Sequence, residues 1–448
     1  MKYLSLIDFF LTPLYLIISF LILIVIKKRF IEDETDKYFI IKGFYLKLLG
    51  GFAAGLIYVF YYNGGDTIFY FDATKLISNY LADNPFDFIY IFSSSNLKDS
   101  DNFDILKLIN QNAYLRETST YTVVKICALF NLFCFNSFFA TIIFCASFSF
   151  LCSWNFYKAI GALYPNIKKK IGYAIFFMPS AIFWGSGIFK DTFTLGAICL
   201  LLYSFIYLFI IRKFSIVLFL SFILSLYLLK NIRSFFLITI LPFLVFWVFQ
   251  HNYNRIKNFG LKMVMAPIFI VILVGFVGVG TQLLNNYFVE LDAEKFQDKL
   301  MGFQGWHTTL KGSAYSLGKM EYTTLGYLKK FPAAVNVTFF RPYITEVNKP
   351  IIFLSFLQGL FFTFFTIYII FRYNFIRFFG QLFKSYDAIA LLGFSLFFGF
   401  ITGLTSYNFG ALDRYKIPCL STYIISLLIV EYRMKNNRSP LIKEKETF

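Results

Sequence analysis

Phe183–Ile211 reads FWGSGIFKDTFTLGAICLLLYSFIYLFII. From Thr192 onward it carries no charge for about 20 residues, which at ~1.5 Å rise per residue is the length of a helix crossing the ~30 Å hydrocarbon core of a bilayer. Upstream lies a second apolar run, FFMPSAIFW (Phe176–Trp184), with Pro179 inside it. Between the two runs sit Gly185, Ser186 and Gly187, then Lys190 beside Asp191. Two membrane helices joined by a tight turn that bears a Lys and an Asp is the arrangement this stretch implies.

Composition extends that reading to the whole chain. Hydrophobic residues make up 58% and charged residues 15%, with a mean hydropathy of +0.65, whereas soluble domains carry about 25% charged residues. The fold class that follows is all-α: a polytopic transmembrane helix bundle in a single integral-membrane domain, 1–448. Heavy use of Phe, Tyr, Ile, Lys and Asn fits an AT-rich coding sequence and a low-GC bacterium. Cys127, Cys134, Cys145, Cys152, Cys199 and Cys419 lie in or beside apolar runs without a CxxC, so they read as small buried or lipid-facing residues rather than disulfides or metal ligands.

The formal charge of +17 is dispersed in short clusters that flank apolar runs. These are Lys27 to Arg29, Lys168 to Lys170, Arg212-Lys213, Arg255 to Lys262, Arg372 to Lys384 and Arg433 to Lys445. They read as topology signals and exclude a nucleic-acid partner. Placing all six in the cytoplasm gives about eleven spans, near 5–26, 44–62, 137–157, 171–187, 192–211, 214–229, 234–250, 261–282, 351–371, 388–406 and 416–431. The amino terminus is then outside, the carboxyl terminus cytoplasmic, and the first segment is a retained span rather than a signal peptide. The chain shows no internal repeat.

This path puts two long loops on the exterior face, 63–120 and 283–349, each expected to contain interfacial helices. The first is acidic and the second more basic. The first opens with YYNGGDTIFYFDATKLISNYL (Tyr61–Leu81), where Gly64 and Gly65 break the span and Asp66 follows at once. Thr67 to Leu81 has the apolar spacing of a helix lying along the interface. Asp66 has two readings: a general base partly shielded by aromatic rings, or the cap of that helix. Lys190 and Asp191 likewise have two. Either they pair with each other in a hairpin whose next helix Asp191 caps, or they face an anionic ligand and an acceptor or metal.

Further charges fall on the same predicted face. KNIRSFF brings Lys230 and Arg233, FFRPYITEVNKP brings Arg341 and Glu346, and SYNFGALDRYKIP brings Asn408, Asp413, Arg414 and Lys416. Each Arg taken alone snorkels to head groups. Taken together with the carboxylates, they describe one anion-binding cavity opening to lipid, because the guanidinium fork matches phosphate oxygens bidentately. In QGWHTTL of the second loop, His307 is a second possible base or an ordinary loop residue, and Trp306 a sugar-stacking or interfacial ring.

The pattern resembles the glycosyltransferase C superfamily, polytopic enzymes that take sugars from polyprenyl-phosphate or polyprenyl-diphosphate carriers. It also resembles lipid-linked oligosaccharide polymerases of bacterial surface-polysaccharide type. The resemblance rests on Asp66 in GGDTIFYFD, on Asp191 after the Pro-containing PSAIFWGSGIFKD, and on Arg414-Tyr415-Lys416-Ile417-Pro418 entering a late span. The acidic loop follows the second predicted span rather than the first, so an extra amino-terminal helix is needed. The resemblance implies catalytic Asp66 and Asp191, with Lys190, Arg233, Arg341, Asn408, Arg414 and Tyr415 binding substrate. It also implies a polyprenyl-linked sugar donor, a glycan, lipid or protein acceptor, contact with membrane lipid, and a divalent cation, Mg or Mn, as a possible cofactor. Two other classes compete. A transporter or flippase for an anionic lipid-linked glycan would show symmetric halves and matching broken spans, and a non-catalytic component of an envelope assembly machine would need no convergent charges.

Overall fold

In the computed structural model residues 4–95, 97–98, 102–253, 255–256, 302, 313–321 and 323–436 are described. Among them regular structure is helical, apart from an isolated antiparallel bridge between Ala314 and Asn408. Nine of the described helices are long and apolar enough to cross a membrane: Leu6–Phe30, Glu34–Tyr61, Phe138–Leu163, Lys190–Ile211, Ile216–Arg233, Phe235–Tyr253, Ile352–Arg372, Tyr386–Thr405 and Ile417–Asn436. The chain is an integral membrane protein. Helices are the only open-ended segments that satisfy every backbone N–H and C=O internally when surrounded by lipid. Each of the nine overlaps a predicted span, and the predicted span 261–282 lies outside the described residues. The chain divides into two compact units, Met1–Ser234 and Phe235–Phe448.

The first unit holds α1 (Leu6–Phe30), α2 (Glu34–Leu56, prolonged by a wide turn at Ile57–Tyr61), α3 (Asp66–Asp83), α4 (Phe88–Ser93), α5 (Phe103–Gln111) and α6 (Thr118–Cys134). It continues with α7 (Phe138–Leu163), α8 (Lys168–Phe176), α9 (Pro179–Phe183), α10 (Lys190–Phe205, prolonged at Ile206–Ile211) and α11 (Ile216–Arg233). Helices α2 and α7 run antiparallel. Near the start of α2, Asp36 meets Lys158 of α7 at 2.6 Å and Tyr157 at 2.9 Å, while near its end Gly55 lies against Phe138 and Ile142. Helix α10 packs against α7 and α11, and α1 is tied to the start of α7, where Asp8 accepts from Ser137 Oγ at 2.7 Å and Phe139 N at 3.0 Å. An Asp at that position also complements the positive end of the helix dipole.

The unit therefore has two polar ends. At one, Asp33 and Asp36 meet Lys158 and Lys168. At the other lie the end of α2, the start of α3 and the start of α10, brought together by Tyr58, whose ring centroid is 5.4 Å from that of Phe189. The expected helix after Gly65 is present as α3, and its buried face lies along α6, where Asn131 donates to Ser78 Oγ at 2.6 Å. Helix α6, an apolar helix too short to rank with the nine, falls where no span was predicted.

The second unit holds α12 (Phe235–Tyr253), α13 (Thr324–Lys329), α14 (Phe331–Phe339), α15 (Pro350–Arg372), α16 (Phe375–Phe383), α17 (Tyr386–Thr405), α18 (Phe409–Tyr415) and α19 (Ile417–Asn436). Helix α17 is its hub, packed on α19, α12 and α14. Its first turn carries buried Asp387, which meets buried Arg433 of α19 at 2.7 Å.

Candidate active site

The segment between α8 and α10 answers why a Lys and an Asp stand in so apolar a chain. The sequence implies one span at 171–187 bent at Pro179. Instead, the helix stops at Phe176, Met178 takes the extended conformation favoured before proline, and a short α9 is followed by turns up to Phe189. A broken helix inside the protein strands carbonyl groups, and each needs a donor. Ser186 Oγ donates to Ile182 O at 2.6 Å, and Thr192 Oγ1 donates to Gly187 O at 2.7 Å. Lys47, buried in the middle of α2, donates to Ala181 O and Gly185 O, both at 3.0 Å. Helix α2 approaches this segment so closely that a Cβ on Gly50 would lie 2.0 Å from Ile182 O.

Lys190 and Asp191 open α10, and they do not pair with each other in the way a hairpin would require. Asp191, fully buried in the first turn, meets Arg233 Nη2 at 2.7 Å, joining the start of α10 to the end of α11. Phe189 occupies the cap position that the sequence assigned to Asp191. Lys190 turns the other way, donating to Ser119 Oγ at 2.6 Å and to Glu117 at 3.4 Å. Burial pushes the Glu117 carboxyl up, but the Ser119 hydroxyl and the Lys190 ammonium together hold it below its ordinary value.

Asp66 is the first residue of α3, and Gly65 before it is the cap, with a φ of +99° that favours glycine. The Asp66 carboxylate accepts from Tyr114 Oη at 3.0 Å. Tyr114 belongs to the turn between α5 and α6, and its carbonyl accepts from Thr120 Oγ1 at 2.6 Å. The segment 114–120, a turn running into the first residues of α6, thus touches Asp66 at one end and Lys190 at the other. The first unit gathers three carboxylates, an ammonium and a guanidinium at or beside residues 114–120. Such a set can draw in an anion at the cations and take up a proton at a carboxylate.

Compared with protein-family models, with curated proteins and with solved structures, the chain matches none.

The remaining predicted site residues lie in the second unit. Arg341 donates through Nε to Glu346 at 3.1 Å and sits among the rings of Phe409, Tyr343 and Tyr315 at 5.7, 5.8 and 5.9 Å from their centroids. Burial raises the Glu346 carboxyl, but the Arg341 hydrogen bond, the Tyr343 N–H and the Arg341 charge bring it below its usual value. Asn408 caps α18, accepting from Gly410 N at 2.8 Å. Phe409 against Arg341 brings the RPY and SYNFGALDRYKIP runs together. Asp413 and Lys416 turn inward as a buried pair at 2.7 Å, with Ser355 hydrogen-bonded to Asp413. Arg414 and Tyr415, both half-buried, end α18 beside them.

Among the described residues no group of three His, Cys, Asp or Glu side chains is placed to hold a metal ion. Asp66 and Asp191 each give one carboxylate oxygen to a phenol and a guanidinium, respectively, so among the described residues these two do not by themselves form a site for a resident Mg or Mn. Trp306 and His307 lie outside the described residues.

Sequence reasoning passed over Lys47 and Tyr114. Lys47 had a signal, because an ionisable residue inside an apolar span marks a polar partner in the protein interior. Tyr114 had none: its distance of 48 residues from Asp66 is bridged only by the packing of α3, α5 and α6.

Proposed function

We propose that the chain is a membrane glycosyltransferase of glycosyltransferase C type, or a related oligosaccharide polymerase. It transfers a sugar or oligosaccharide from a polyprenyl-phosphate or polyprenyl-diphosphate carrier on the extracytoplasmic face, in assembly of a surface glycan. The observation that supports this reading is the assembly around segment 114–120, with Asp66 at one side and Lys190, Asp191 and Arg233 at the other.

The chemistry runs as a single displacement. The donor enters from lipid, with its phosphate drawn to Arg233 and Lys190, while Asp191 is a positioning residue that holds the Arg233 fork. An acceptor hydroxyl oxygen attacks the anomeric carbon, the bond from that carbon to the phosphate oxygen breaks, and the carrier phosphate leaves as an anion stabilised by the cations. The hydroxyl proton passes to Asp66. Arg341, Asn408, Arg414 and Tyr415 are substrate-binding residues by the resemblance alone.

In this reading the broken segment α8–α9 crosses the membrane along with the nine long helices, and the remaining span of the eleven, 261–282, lies outside the described residues. The amino terminus is outside and the carboxyl terminus inside the cytoplasmic membrane of a bacterium, with loops 63–120 and 283–349 exterior. The Lys158 and Lys168 end of the first unit is then cytoplasmic, as the positive-inside rule requires.

The test is sugar transfer from a lipid-linked donor pool by purified wild type and by Asp66→Asn, Asp191→Asn and Arg414→Ala. Loss of product is expected in Asp66→Asn and Arg414→Ala variants that elute and melt like wild type, and in Asp191→Asn assayed below its own melting temperature. Undiminished product removes the residue from the site. A second reading, a flippase for a lipid-linked glycan, is favoured by the interrupted helix at 168–189, since transporters bind at such breaks. Reconstituted vesicles that move the lipid-linked glycan across the bilayer without forming product would replace the first reading with the second.

A further inference from the structure

One face of α3 borders a groove of about 730 Å³ whose far wall is the end of α5 and the turn that follows it. Phe69, Asp72 and Asn79 stand on the α3 side at helical spacing, with Gln111, Asn112 and Tyr114 opposite. Three properties of this lining decide what it can hold. The rings of Phe69 and Tyr114 are stacked 5.7 Å apart at 29°, and Phe69 is 49% exposed, so an aromatic surface stands open to a ligand. The polar groups are amides, a carboxylate and the Lys75 ammonium, which between them both donate to and accept from hydroxyls. The charge cancels, because Lys75 pairs with Asp72 at 2.9 Å.

Leu76 and Ala113 add to the apolar wall that the two rings begin, and the amides set among them give it hydrogen-bonding groups that an acyl chain would leave unused. Alternating amides beside an open aromatic face suit an uncharged polyhydroxylated chain, whose sugar rings offer apolar C–H faces to the aromatics and hydroxyl pairs to the amides. The groove also leads to Asp66, since the Tyr114 hydroxyl that lines it donates to that carboxylate at 3.0 Å. We infer that this groove seats a neutral stretch of oligosaccharide next to Asp66. That it is the acceptor chain rests on the glycosyl-transfer reading; that it binds uncharged glycan does not.

The test uses the purified full chain in nanodiscs, first of phosphatidylcholine alone, presented to an array of neutral, amino and acidic oligosaccharides. Gln111→Ala and Phe69→Ala trim groove side chains that lie at the surface, and should melt like wild type. Binding of at least one neutral glycan, weakened about tenfold or more in both variants, is expected. No glycan whose binding depends on these residues, or dependence only for acidic glycans, overturns the inference. So does loss of groove-dependent binding in phosphatidylglycerol nanodiscs, where an anionic head group would be the occupant. Where transfer is measured, the variants should raise KM for the acceptor and leave kcat unchanged. Glycan binding without any transfer would sink the enzymatic reading alone, and transfer with no groove-dependent binding would sink the groove alone.

Discussion

Arg233 Nη2 lies 2.7 Å from Asp191 Oδ1, with the carboxylate fully buried and the guanidinium nearly so. The last residue of α11 is thereby clamped to the first turn of α10. A lone Arg at a span end is free to snorkel; this one is held in place by a buried anion.

Removing the cation should therefore cost more than removing both charges. Arg233→Ala removes the cation that faces a buried carboxylate, and breaking such pairs costs about 3–5 kcal/mol. Asp191→Asn combined with Arg233→Gln should be less destabilised than Arg233→Ala alone. Thermal melting in detergent, read by intrinsic fluorescence, measures both; equal melting temperatures for the two variants would show that the pair contributes nothing.

Lys47→Met keeps the length of the side chain and deletes its ammonium. Ala181 O and Gly185 O each lose a charge-assisted hydrogen bond, and such bonds are worth about 1.5–3 kcal/mol apiece. The variant should melt well below wild type and open first in the 177–189 segment. Hydrogen exchange followed by mass spectrometry would detect that opening as faster labelling confined to peptides from this segment.

Gly50→Ala should fail to fold. The added methyl would sit 2.0 Å from Ile182 O and 2.8 Å from Ile182 Cγ2, and the first of these contacts is with backbone that cannot swing aside. Loss of a monodisperse peak in size-exclusion chromatography is the expected outcome, and wild-type elution and melting would refute the close approach of α2 to α9.

At the opposite end of the first unit, the Lys168 hydrogen bond, opposed by partial burial and helped by the amides of Thr35 and Asp36, holds the Asp33 carboxyl down at about 2. A carboxyl depressed in the folded state stabilises the fold above its ordinary pKa of about 3.9, and that contribution is lost as pH falls through the folded value. Stability should thus fall between about pH 4 and 2. Lys168→Met should flatten that part of the profile, as measured by melting temperature against pH; an unchanged slope would mean the pair is fully screened by water.

Much of the architecture is legible without coordinates. Nine spans can be placed because long apolar runs with few charges leave lipid as their most favourable surroundings, and α3 can be placed because Gly64 and Gly65 end one helix and Asp66 suits the start of another. The short α6 was missed because its 17 residues include Lys125 and Asn131, whose partners, Phe92 O and Ser94 O for the one and Ser78 for the other, come from distant turns of chain. Lys190 and Asp191 illustrate the same limit. Adjacent in the chain, they invite pairing with each other, yet the first turn of a helix points consecutive side chains about 100° apart.

The residues themselves determined that this protein lies in a membrane, roughly where nine of its helices run, and which charged groups are expensive enough to need a reason. Those properties depend on transfer of each segment out of water, which a segment settles for itself. Which carboxylate meets which guanidinium, that Lys47 supplies the donors missing from a broken helix, and that Tyr114 reaches Asp66, were decided only by packing. A buried polar group takes whatever partner the fold brings within about 3 Å, and that partner has no fixed distance along the chain.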